Sequence, residues 1–372
     1  MKKVIVSVIN DLVTDQRVNK NCNALVELGF EVCLVGRKKR DSLPLPGRNY
    51  RMHRMNLLFE KGPFFYAEYN FRLFFYLIFH KSNLLFSNDL DTLMPNYLIH
   101  KLKGVPIVYD SHEYFTETPE LVNRKFPQGV WKRIEKWIFP KLKDVITVNK
   151  SIARLFKEKY GNEVHVVRNI PPTRASVKPL TKSLLGLPEN TPIILLQGAG
   201  INIQRGAEEL VEAMQFVENA HLLIIGGGDV IDILKSMVKE FELSERITFI
   251  PKLPFEKLQQ YTMLADIGLT IDKDTNINYR YSLPNKLFDY IQSGVPVLAS
   301  PLVEIAQIID KYQVGECIEN HEPKTLAAKI NSMINNKEQL LIYKQNCKVS
   351  AKVLNWENEK ERLIKILAKY AG

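Results

Sequence analysis

The sequence of 372 residues lacks an apolar run that approaches the roughly 20 residues a membrane-spanning helix needs. The longest candidate, 73–79, is bounded by Arg72 and His80. The N-terminal apolar run 4–9 is short and ends in polar residues without a small-residue cleavage site. We therefore expect this run to be a first buried strand, and the sequence predicts neither a membrane span nor a signal peptide.

Cysteine is scarce, and its spacing argues against two kinds of site. The four cysteines, Cys22, Cys33, Cys317 and Cys347, show no C-x-x-C spacing. Neither a zinc site nor a disulfide framework is therefore predicted. Free thiols without an export signal indicate a cytoplasmic protein.

Positive charge is concentrated in the N-terminal half of the chain. Residues 1–170 contain 28 lysines and arginines against 17 aspartates and glutamates, whereas residues 171–372 contain 23 against 24. A basic half is suited to nucleic acid, an anionic membrane surface or a phosphorylated acceptor. A solvated basic surface with no partner accounts for the same charge equally well.

Apolar β-rich runs alternate with amphipathic stretches, a pattern typical of a parallel sheet covered by helices. The predicted strands are 4–9, 30–35, 84–86, 106–109, 145–147, 164–167, 192–197, 222–225, 247–250, 267–271 and 296–299. The pair Pro171-Pro172 fits neither a helix interior nor a central strand, and the alternation restarts after it. The sequence thus predicts an α/β fold of two Rossmann-like doubly wound domains, 1–170 and 171–354. Ligands are expected at the carboxyl ends of the strands.

A dinucleotide enzyme requires a G-x-G-x-x-G fingerprint after the first strand of a domain. No glycine follows the strand 4–9. After the strand 192–197, Gly198 and Gly200 occur, but Ile203 occupies the third glycine position. The sequence therefore argues against a dehydrogenase.

Two segments of the second domain instead have the features of a phosphate site. In the segment 198–206, Gly198 and Gly200 allow close backbone approach and Arg205 offers a forked cation at a helix start. A structural turn with a surface arginine explains this segment equally well. In the segment 279–298, a helix begins just after Pro284, with Lys286 in its first turn and Asp289 one turn beyond Asn285. That spacing predicts a site for phosphate and sugar hydroxyls.

The segment 279–298 closely resembles the signature of glycosyltransferase family 4, which has the GT-B fold. The family's carboxylate helix, followed by Gly-x-Pro, matches Asp289 and Gly294-Val295-Pro296, and its phosphate loop matches 198–206. Its strand-end glycines match 224–228, and its domain junction matches Asn169-Ile170-Pro171. In the first domain, Asp15-Gln16-Arg17-Val18 and Val108-Tyr109-Asp110-Ser111-His112-Glu113 are similar to family segments.

The resemblance implies two domains facing a central cleft, with the C-terminal helix 355–372 crossing back to the first domain. It implies that Asp289 binds the donor ribose and that His112 is the catalytic candidate near the reacting centre. The implied donor-binding residues are Gly198, Gly200, Arg205, Ser282, Leu283, Asn285, Lys286 and Asp289. The implied acceptor-side residues are Asp15, Arg17, Asp110 and Glu113, and Asp89 is a further acceptor-side candidate because it ends a strand of the first domain. Two departures stand out, since Tyr281 replaces the family's first glutamate and Ala199-Gly200 replaces its usual arginine.

The expected reaction moves a sugar from a nucleoside diphosphate sugar to a glycan or lipid-linked acceptor, with retention and without metal, cofactor or nucleic acid. Asp89-Leu90-Asp91 spells a D-x-D motif, but three-residue matches arise by chance and we expect no metal there. Two alternatives stay open, a UDP-sugar epimerase of the same fold and a non-catalytic nucleotide-sugar binder. The aromatic stretch 64–79 is either a core helix or a contact with an anionic membrane.

Overall fold

Buried runs of valine, leucine and isoleucine form the central strands in both halves of the chain. This computed structural model describes residues 1–173 and 180–372. Two units can be separated, Met1–Asn169 with Asn358–Gly372 and Ile170–Glu357. Each unit has a parallel sheet covered by helices, so the predicted α/β architecture of two Rossmann-like domains is confirmed.

The first unit, whose residues are all described, contains a seven-stranded parallel sheet with the order β3-β2-β1-β4-β5-β6-β7. Its strands are β1 (Lys3–Ser7), β2 (Glu31–Lys38), β3 (Arg51–Asn56), β4 (Leu84–Asn88), β5 (Ile107–Ser111), β6 (Asp144–Thr147) and β7 (Val164–Val166). Its helices before the domain junction are α1 (Gln16–Glu27), α2 (Gly62–Phe79), α3 (Leu90–Lys103), α4 (Pro119–Val122), α5 (Lys125–Ile138) and α6 (Lys150–Tyr160). Because β1, β4 and β5 are neighbours, the loops after them meet at one edge of the sheet.

The described part of the second unit contains a six-stranded parallel sheet with the order β10-β9-β8-β11-β12-β13. Its strands are β8 (Ile193–Gly198), β9 (His221–Gly226), β10 (Ile247–Ile250), β11 (Ile267–Thr270), β12 (Val297–Ala299) and β13 (Gly315–Cys317). Its helices are α7 (Ala207–Ala213), α8 (Ile231–Glu240), α9 (Phe255–Thr262), α10 (Ile277–Arg280), α11 (Asn285–Gln292), α12 (Val303–Tyr312), α13 (Pro323–Asn335) and α14 (Lys337–Ala351). The loops after β8, β9 and β11 again share one edge.

The last helix, α15 (Trp356–Ala371), packs from Asn358 onward with the first unit. Leu363 and Leu367 are buried there, and Lys369 Nζ donates to Asp144 Oδ1 at 2.6 Å. The backbone amide of Arg168 donates to Glu359 Oε2 at 2.9 Å. These contacts attach the end of the chain to the sheet of the first unit.

Several elements were not predicted from the sequence, namely β3, β13, α4, α6, α10, α12, α13 and α14. Strand β3 escaped detection because it is polar and only Met55 of its six residues is buried. Helix α6 has clear end signals, since Asn149 Oδ1 accepts from the Ile152 amide at 2.9 Å and Gly161 ends the helix in a left-handed conformation.

Candidate functional site

The carboxyl edge of the second sheet surrounds a cavity of 390 Å³. The predicted donor-binding residues among its lining are Gly198, Gly200, Arg205, Asn285, Lys286 and Asp289. The lining also includes Gln197 and Lys252, which sequence reasoning missed. Four separate segments, after β8, at the end of β9, before α9 and at the start of α11, thus meet around one space.

Glycines shape this cavity in two ways. Gly226 has φ +144°, and a Cβ on it would lie 1.8 Å from the carbonyl oxygen of Gly198. A side chain at Gly226 would therefore force the ends of β8 and β9 apart. A Cβ on Gly198 or Gly200 would make only ordinary contacts, the nearest at 3.7 and 3.4 Å. A side chain at either of these two positions would therefore not clash with the protein, and the glycines serve to leave space in the cavity.

Arg205 lies in the tight loop between β8 and α7. Gly206 follows it with φ +75°, and a Cβ there would lie 2.3 Å from the carbonyl oxygen of Ile271. The Arg205 guanidinium lies 5.1 Å from the centre of the Tyr279 ring, and its Nη1 is 3.6 Å from Asp272 Oδ1. Its Nε is buried without a hydrogen-bond partner in the protein. The loop therefore presents a stacked cation whose hydrogen-bonding capacity is incompletely used.

Lys286 supplies a second cation from the first turn of α11. Its Nζ is 3.7 Å from Asp272 Oδ2, and its side chain is 12% exposed. Burial lowers the pKa of Lys286, while the Asp272 carboxylate opposes that shift. Helix α11 begins at Asn285 after Pro284, without a side-chain cap. Two cations and a helix start consequently converge on the cavity, an arrangement suited to an anion.

Asp289 is held one turn further along α11 by a buried glutamine. Gln197 Nε2 donates to Asp289 Oδ2 at 3.3 Å, and Gln197 Oε1 accepts from Thr262 Oγ1 at 2.7 Å. This chain of hydrogen bonds fixes the amide orientation of Gln197 and aims the carboxylate of Asp289. A carboxylate held in this way is suited to accept hydrogen bonds from sugar hydroxyls.

The other two predicted donor-binding residues lie just before α11. Leu283 packs against the apolar core formed with Leu287 and Phe288. Ser282 Oγ is buried and has no hydrogen-bond partner in the protein. Neither residue belongs to the described lining of the cavity, so any contact with a ligand remains a prediction.

A second polar cluster lies at the carboxyl edge of the first sheet, around His112. The amide of His112 donates to Asp89 Oδ1 at 2.8 Å, and its Nδ1 is 3.2 Å from Asp89 Oδ2. Its Nε2 is 3.3 Å from Asp110 Oδ2 and 3.2 Å from Asn88 Oδ1. Burial lowers the pKa of His112, but the carboxylates of Asp89 and Asp110 outweigh this effect and raise it to about 9. His112 is therefore an imidazolium at neutral pH, a hydrogen-bond donor and not a base.

Arg17 and Asp110 form a buried pair behind His112. Arg17 donates to Asp110 from Nε at 3.0 Å and from Nη2 at 2.5 Å, and from Nη1 to the Val167 carbonyl at 2.8 Å. Asn21 Nδ2 also donates to Asp110 Oδ2 at 2.7 Å. Although burial opposes ionisation, Arg17 and His112 hold the pKa of Asp110 well below its usual range. Both residues are buried, so their direct effect is on the position and charge of His112.

The remaining predicted acceptor-side residues frame this cluster. Asp15 caps α1, with its Oδ1 accepting from the Val18 amide at 2.9 Å. Desolvation, with the carboxylates of Asp89 and Glu120, raises the pKa of Glu113 to about 7. Asp89 has φ +57°, an unusual conformation that a residue without glycine's freedom adopts only when its surroundings enforce it.

The two aspartates of the D-x-D motif differ in their surroundings. Both Asp89 carboxylate oxygens engage His112, and Asp91 is buried with its pKa raised well above the usual range by desolvation. Within residues 1–173 and 180–372, no group of three or more histidine, cysteine, aspartate or glutamate side chains is arranged to hold a metal ion.

Two parallel-sheet units, with a cationic cavity at the strand ends of the second, define the class of GT-B-fold proteins. Two family models match the chain, Glycosyltransferase Family 4 over residues 17–171 and Glycosyl transferases group 1 over residues 181–350. The chain belongs to the glycosyltransferases that carry these two domains, and the resemblance found in the sequence is confirmed.

Known proteins share this arrangement at low sequence identity. The chain is 24% identical to D-inositol 3-phosphate glycosyltransferase of Nocardia farcinica over 279 residues, 70% of this chain and 60% of the relative. The match thus spans less than two thirds of that curated relative. Sucrose-phosphate synthase of Thermosynechococcus elongatus has a TM-score of 0.83 at 16% identity, over 99% of both chains. Anabaena Alr3699/HepE in complex with UDP-glucose has a TM-score of 0.75 at 12% identity, over 99% of this chain and 100% of that one.

A helix that crosses a bilayer needs both sufficient length and sufficient apolarity. None of the helices within 1–173 and 180–372 meets both requirements. The longest, α2, has 18 residues and includes Glu68 and Arg72.

Proposed function

We propose that the protein transfers a sugar from a nucleoside diphosphate sugar to a glycan or lipid-linked acceptor in polysaccharide or glycoconjugate synthesis. The observation that carries this proposal is the cavity of the second unit, where Arg205 and Lys286 meet at the carboxyl edge of a parallel sheet. With Lys252, the cavity has three cations against the two carboxylates of Asp289 and the nearby Asp272, which leaves a net positive charge for a diphosphate to neutralise.

In this proposal each part of the cavity binds one part of the donor. Arg205, Lys286 and the start of α11 stabilise the diphosphate, and Asp289 binds the ribose hydroxyls. Gly198 and Gly200 leave room for the donor beside the backbone. The HepE structure with UDP-glucose supports a nucleotide-sugar donor for this fold, and the inositol phosphate glycosyltransferase relative supports a transferase reaction.

The proposed reaction breaks the bond between the anomeric carbon and the diphosphate and forms a bond from that carbon to an acceptor hydroxyl oxygen. The configuration is retained, and the hydroxyl proton passes to the departing diphosphate. The cations beside the diphosphate offset the charge that develops on it as the bond breaks. The cluster around His112 is the proposed acceptor side. There, an imidazolium between two carboxylates donates hydrogen bonds and orients hydroxyl groups.

The experiment that tests the donor site is thermal-shift binding of a nucleotide panel to wild type, Lys286→Ala and Asp289→Ala. We expect one nucleoside diphosphate to stabilise the wild type selectively and both variants to lose that shift. Lys235→Ala, on an exposed part of α8, is the matched charge control and should show the same nucleotide shift as wild type. If no nucleotide stabilises the wild type, the donor assignment fails.

Turnover separates the two alternative functions from the transferase. An epimerase converts the nucleotide sugar without an acceptor, so product analysis in the absence of acceptor identifies it. A non-catalytic binder shows the same nucleotide shift but neither transfer nor hydrolysis across a broad panel of donors and acceptors. Transfer that requires an acceptor excludes both.

We also propose that the first unit contacts an anionic membrane through α2. Phe64, Phe71, Phe75 and Phe79 lie along one face of this helix and are 70%, 64%, 40% and 79% exposed. The stripe extends about 22 Å at the rise of an α-helix. Lys61 and Lys81 flank the helix and are exposed. Apolar rings between cations suit a bilayer with anionic lipid, whereas a second copy would place like charges against each other.

Vesicle flotation tests this contact, with vesicles of phosphatidylcholine alone and with added phosphatidylglycerol. We expect wild type to float only with the anionic vesicles. Phe71→Gln/Phe75→Gln/Phe79→Gln should stay in the soluble fraction. Phe216→Gln, at an exposed phenylalanine of the second unit, should float like wild type. Wild type that never floats, or a triple variant that still does, would refute the membrane contact. A wild-type dimer that the triple variant abolishes would identify a second copy as the partner.

A further inference from the structure

Asp272 lies between the two cations of the cavity in the second unit, two residues after the end of β11. Its side chain is 3% exposed. Oδ1 is 3.6 Å from Arg205 Nη1 and Oδ2 is 3.7 Å from Lys286 Nζ, both just beyond hydrogen-bond distance. Oδ1 is buried without a hydrogen-bond partner in the protein. One carboxylate is thus shared loosely by two cations and is not fixed to either.

This arrangement controls the charge of Lys286. An amine that is buried beside another cation tends to lose its proton, because desolvation and repulsion both favour the neutral form. Burial lowers the pKa of Lys286 and Arg205 lowers it further, while Asp272 raises it. Lys252 and Asp289 also line the cavity, so its charged lining residues come from three separate segments, and Asp272 reaches them from a fourth. Arginine stays charged at any pH of interest, which leaves Lys286 as the cation that depends on a counter-ion.

We propose that Asp272 is the positioning residue that keeps Lys286 charged and close to Arg205 while the cavity is empty, so that the site receives a diphosphate with both cations in place. The inference rests on the proposed donor site. Its specific content is that the carboxylate acts through Lys286 and does not itself bind the diphosphate. The loose distances fit this role, because a diphosphate attracts Lys286 and Arg205 without first breaking strong hydrogen bonds to Asp272.

The first test measures the charge of Lys286 without any nucleotide. Competitive acylation of lysines, read by mass spectrometry between about pH 7 and about pH 11, gives the titration of Lys286 in the folded protein. We expect Asp272→Asn to move that titration to lower pH and Arg205→Gln to move it to higher pH. Asp272→Glu should stay close to wild type. Opposite shifts in two variants at one site are not a general consequence of loosened structure.

If Asp272→Asn fails to fold, Asp272→Ser, which also removes the carboxylate, takes its place in the same titration, and the same shift to lower pH is expected. An unchanged titration in a folded Asp272→Asn, or an Arg205→Gln shift to lower pH, would overturn the proposal. Lys235, exposed on α8, serves as the internal reference, since its titration should be the same in all variants.

The second test follows UDP affinity by calorimetry over the same pH range. We expect wild type to hold UDP at pH values where Asp272→Asn has lost about tenfold in affinity, the effect of one missing charged contact. In the Asp272→Asn background, Lys286→Arg should remove the pH dependence. If wild type binds no nucleoside diphosphate, the proposed function fails. If it binds UDP and Asp272→Asn shows the wild-type pH profile, only the role of Asp272 fails.

Discussion

The net charge of each half of the chain does not match the charge of the polar site in that half. Residues 1–170 have the excess of lysine and arginine, yet the cluster in the first unit surrounds His112 with the carboxylates of Asp89 and Asp110. Residues 171–372 are nearly neutral, yet the cavity of the second unit gathers Arg205, Lys286 and Lys252. The bulk charge therefore does not locate the anion site. The order of strands does, because it decides which strand ends meet.

The two sites also differ in how tightly their ions are paired. Arg17 and Asp110 form a two-pronged pair at 2.5 and 3.0 Å with both side chains buried. Asp272 is 3.6 and 3.7 Å from its two cations. A tight buried pair holds a fixed geometry, whereas a loose one leaves its cations available to a ligand. We infer that the first site is built to position one group and the second to receive one.

The largest expected effect that separates the two sites is on turnover. Replacing His112 with alanine removes the imidazolium from the first unit, and we expect transfer to fall by about 10²–10⁴-fold, as for loss of a positioned catalytic group. Affinity for the nucleoside diphosphate should stay at the wild-type value, because the cavity lies in the second unit. Steady-state transfer assays and calorimetry measure the two quantities.

His165→Ala is the matched control, since this histidine of β7 is 45% exposed and lies 3.9 Å from Asp144. It should keep wild-type transfer. If His112→Ala also retains full turnover, the first cluster has no part in the reaction. If instead His112→Ala loses affinity for the nucleotide, the assignment of catalysis to the first site and donor binding to the second is wrong.

The next effect is on stability and tests whether His112 is charged. Its pKa in the folded protein is about 9, against an ordinary 6.5. A raised pKa contributes stability that is fully present below pH 6.5 and disappears as the pH rises through about 9. The shift corresponds to something on the order of 3 kcal/mol. Urea unfolding of wild type should therefore show a loss of unfolding free energy across this range, and His112→Gln should lack that loss.

Tryptophan fluorescence is the appropriate probe for this measurement. Trp131 and Trp137 lie on α5 in the first unit, and Trp356 belongs to the second. The signal thus reports mainly on the unit that contains His112. Parallel pH curves for wild type and His112→Gln would mean that His112 is neutral in the folded protein. The first site would then not be one that holds a charged group in a fixed position.

Much of this fold could be predicted because buried parallel strands are continuous apolar runs. Val4 to Val6 and Ile193 to Leu196 are buried on both faces of their sheets, and these segments consist entirely of valine, isoleucine and leucine. The polar edge strand β3 carries no such signal. Helices α12 to α14 follow the last predicted strand, in a part of the sequence that contains none of the motifs described above. Apolar patterning thus reveals the centre of each sheet better than its edges.

The candidate sites divide in a similar way. Arg205, Lys286 and Asp289 were predicted because each lies in a segment with its own motif. Gln197 was missed because its partner, Asp289, is 92 residues away. Asp272 was missed because its two cations come from two other segments, the loop before α7 and the start of α11. Asp110 and Arg17 were found through the family resemblance, but their burial as a pair required the structure. Pairing across strand ends is a property of topology, and one sequence does not show it.

The smallest expected effect concerns Gln197, which orients Asp289. This prediction compares binding of the nucleoside part of the proposed donor with binding of its diphosphate part. Gln197→Ala should lower nucleoside diphosphate affinity by about three- to tenfold, the value of roughly one hydrogen bond. Inorganic diphosphate should bind this variant as it binds wild type, since Arg205 and Lys286 are untouched.

Thr262→Val, which removes only the hydroxyl that donates to Gln197, should have a weaker effect of the same kind. Gln215→Ala, at an exposed position after α7, should change neither affinity. Equal losses for the nucleotide and for inorganic diphosphate would mean that Gln197 supports the whole cavity, and the assignment of Asp289 to the ribose would lose its structural basis.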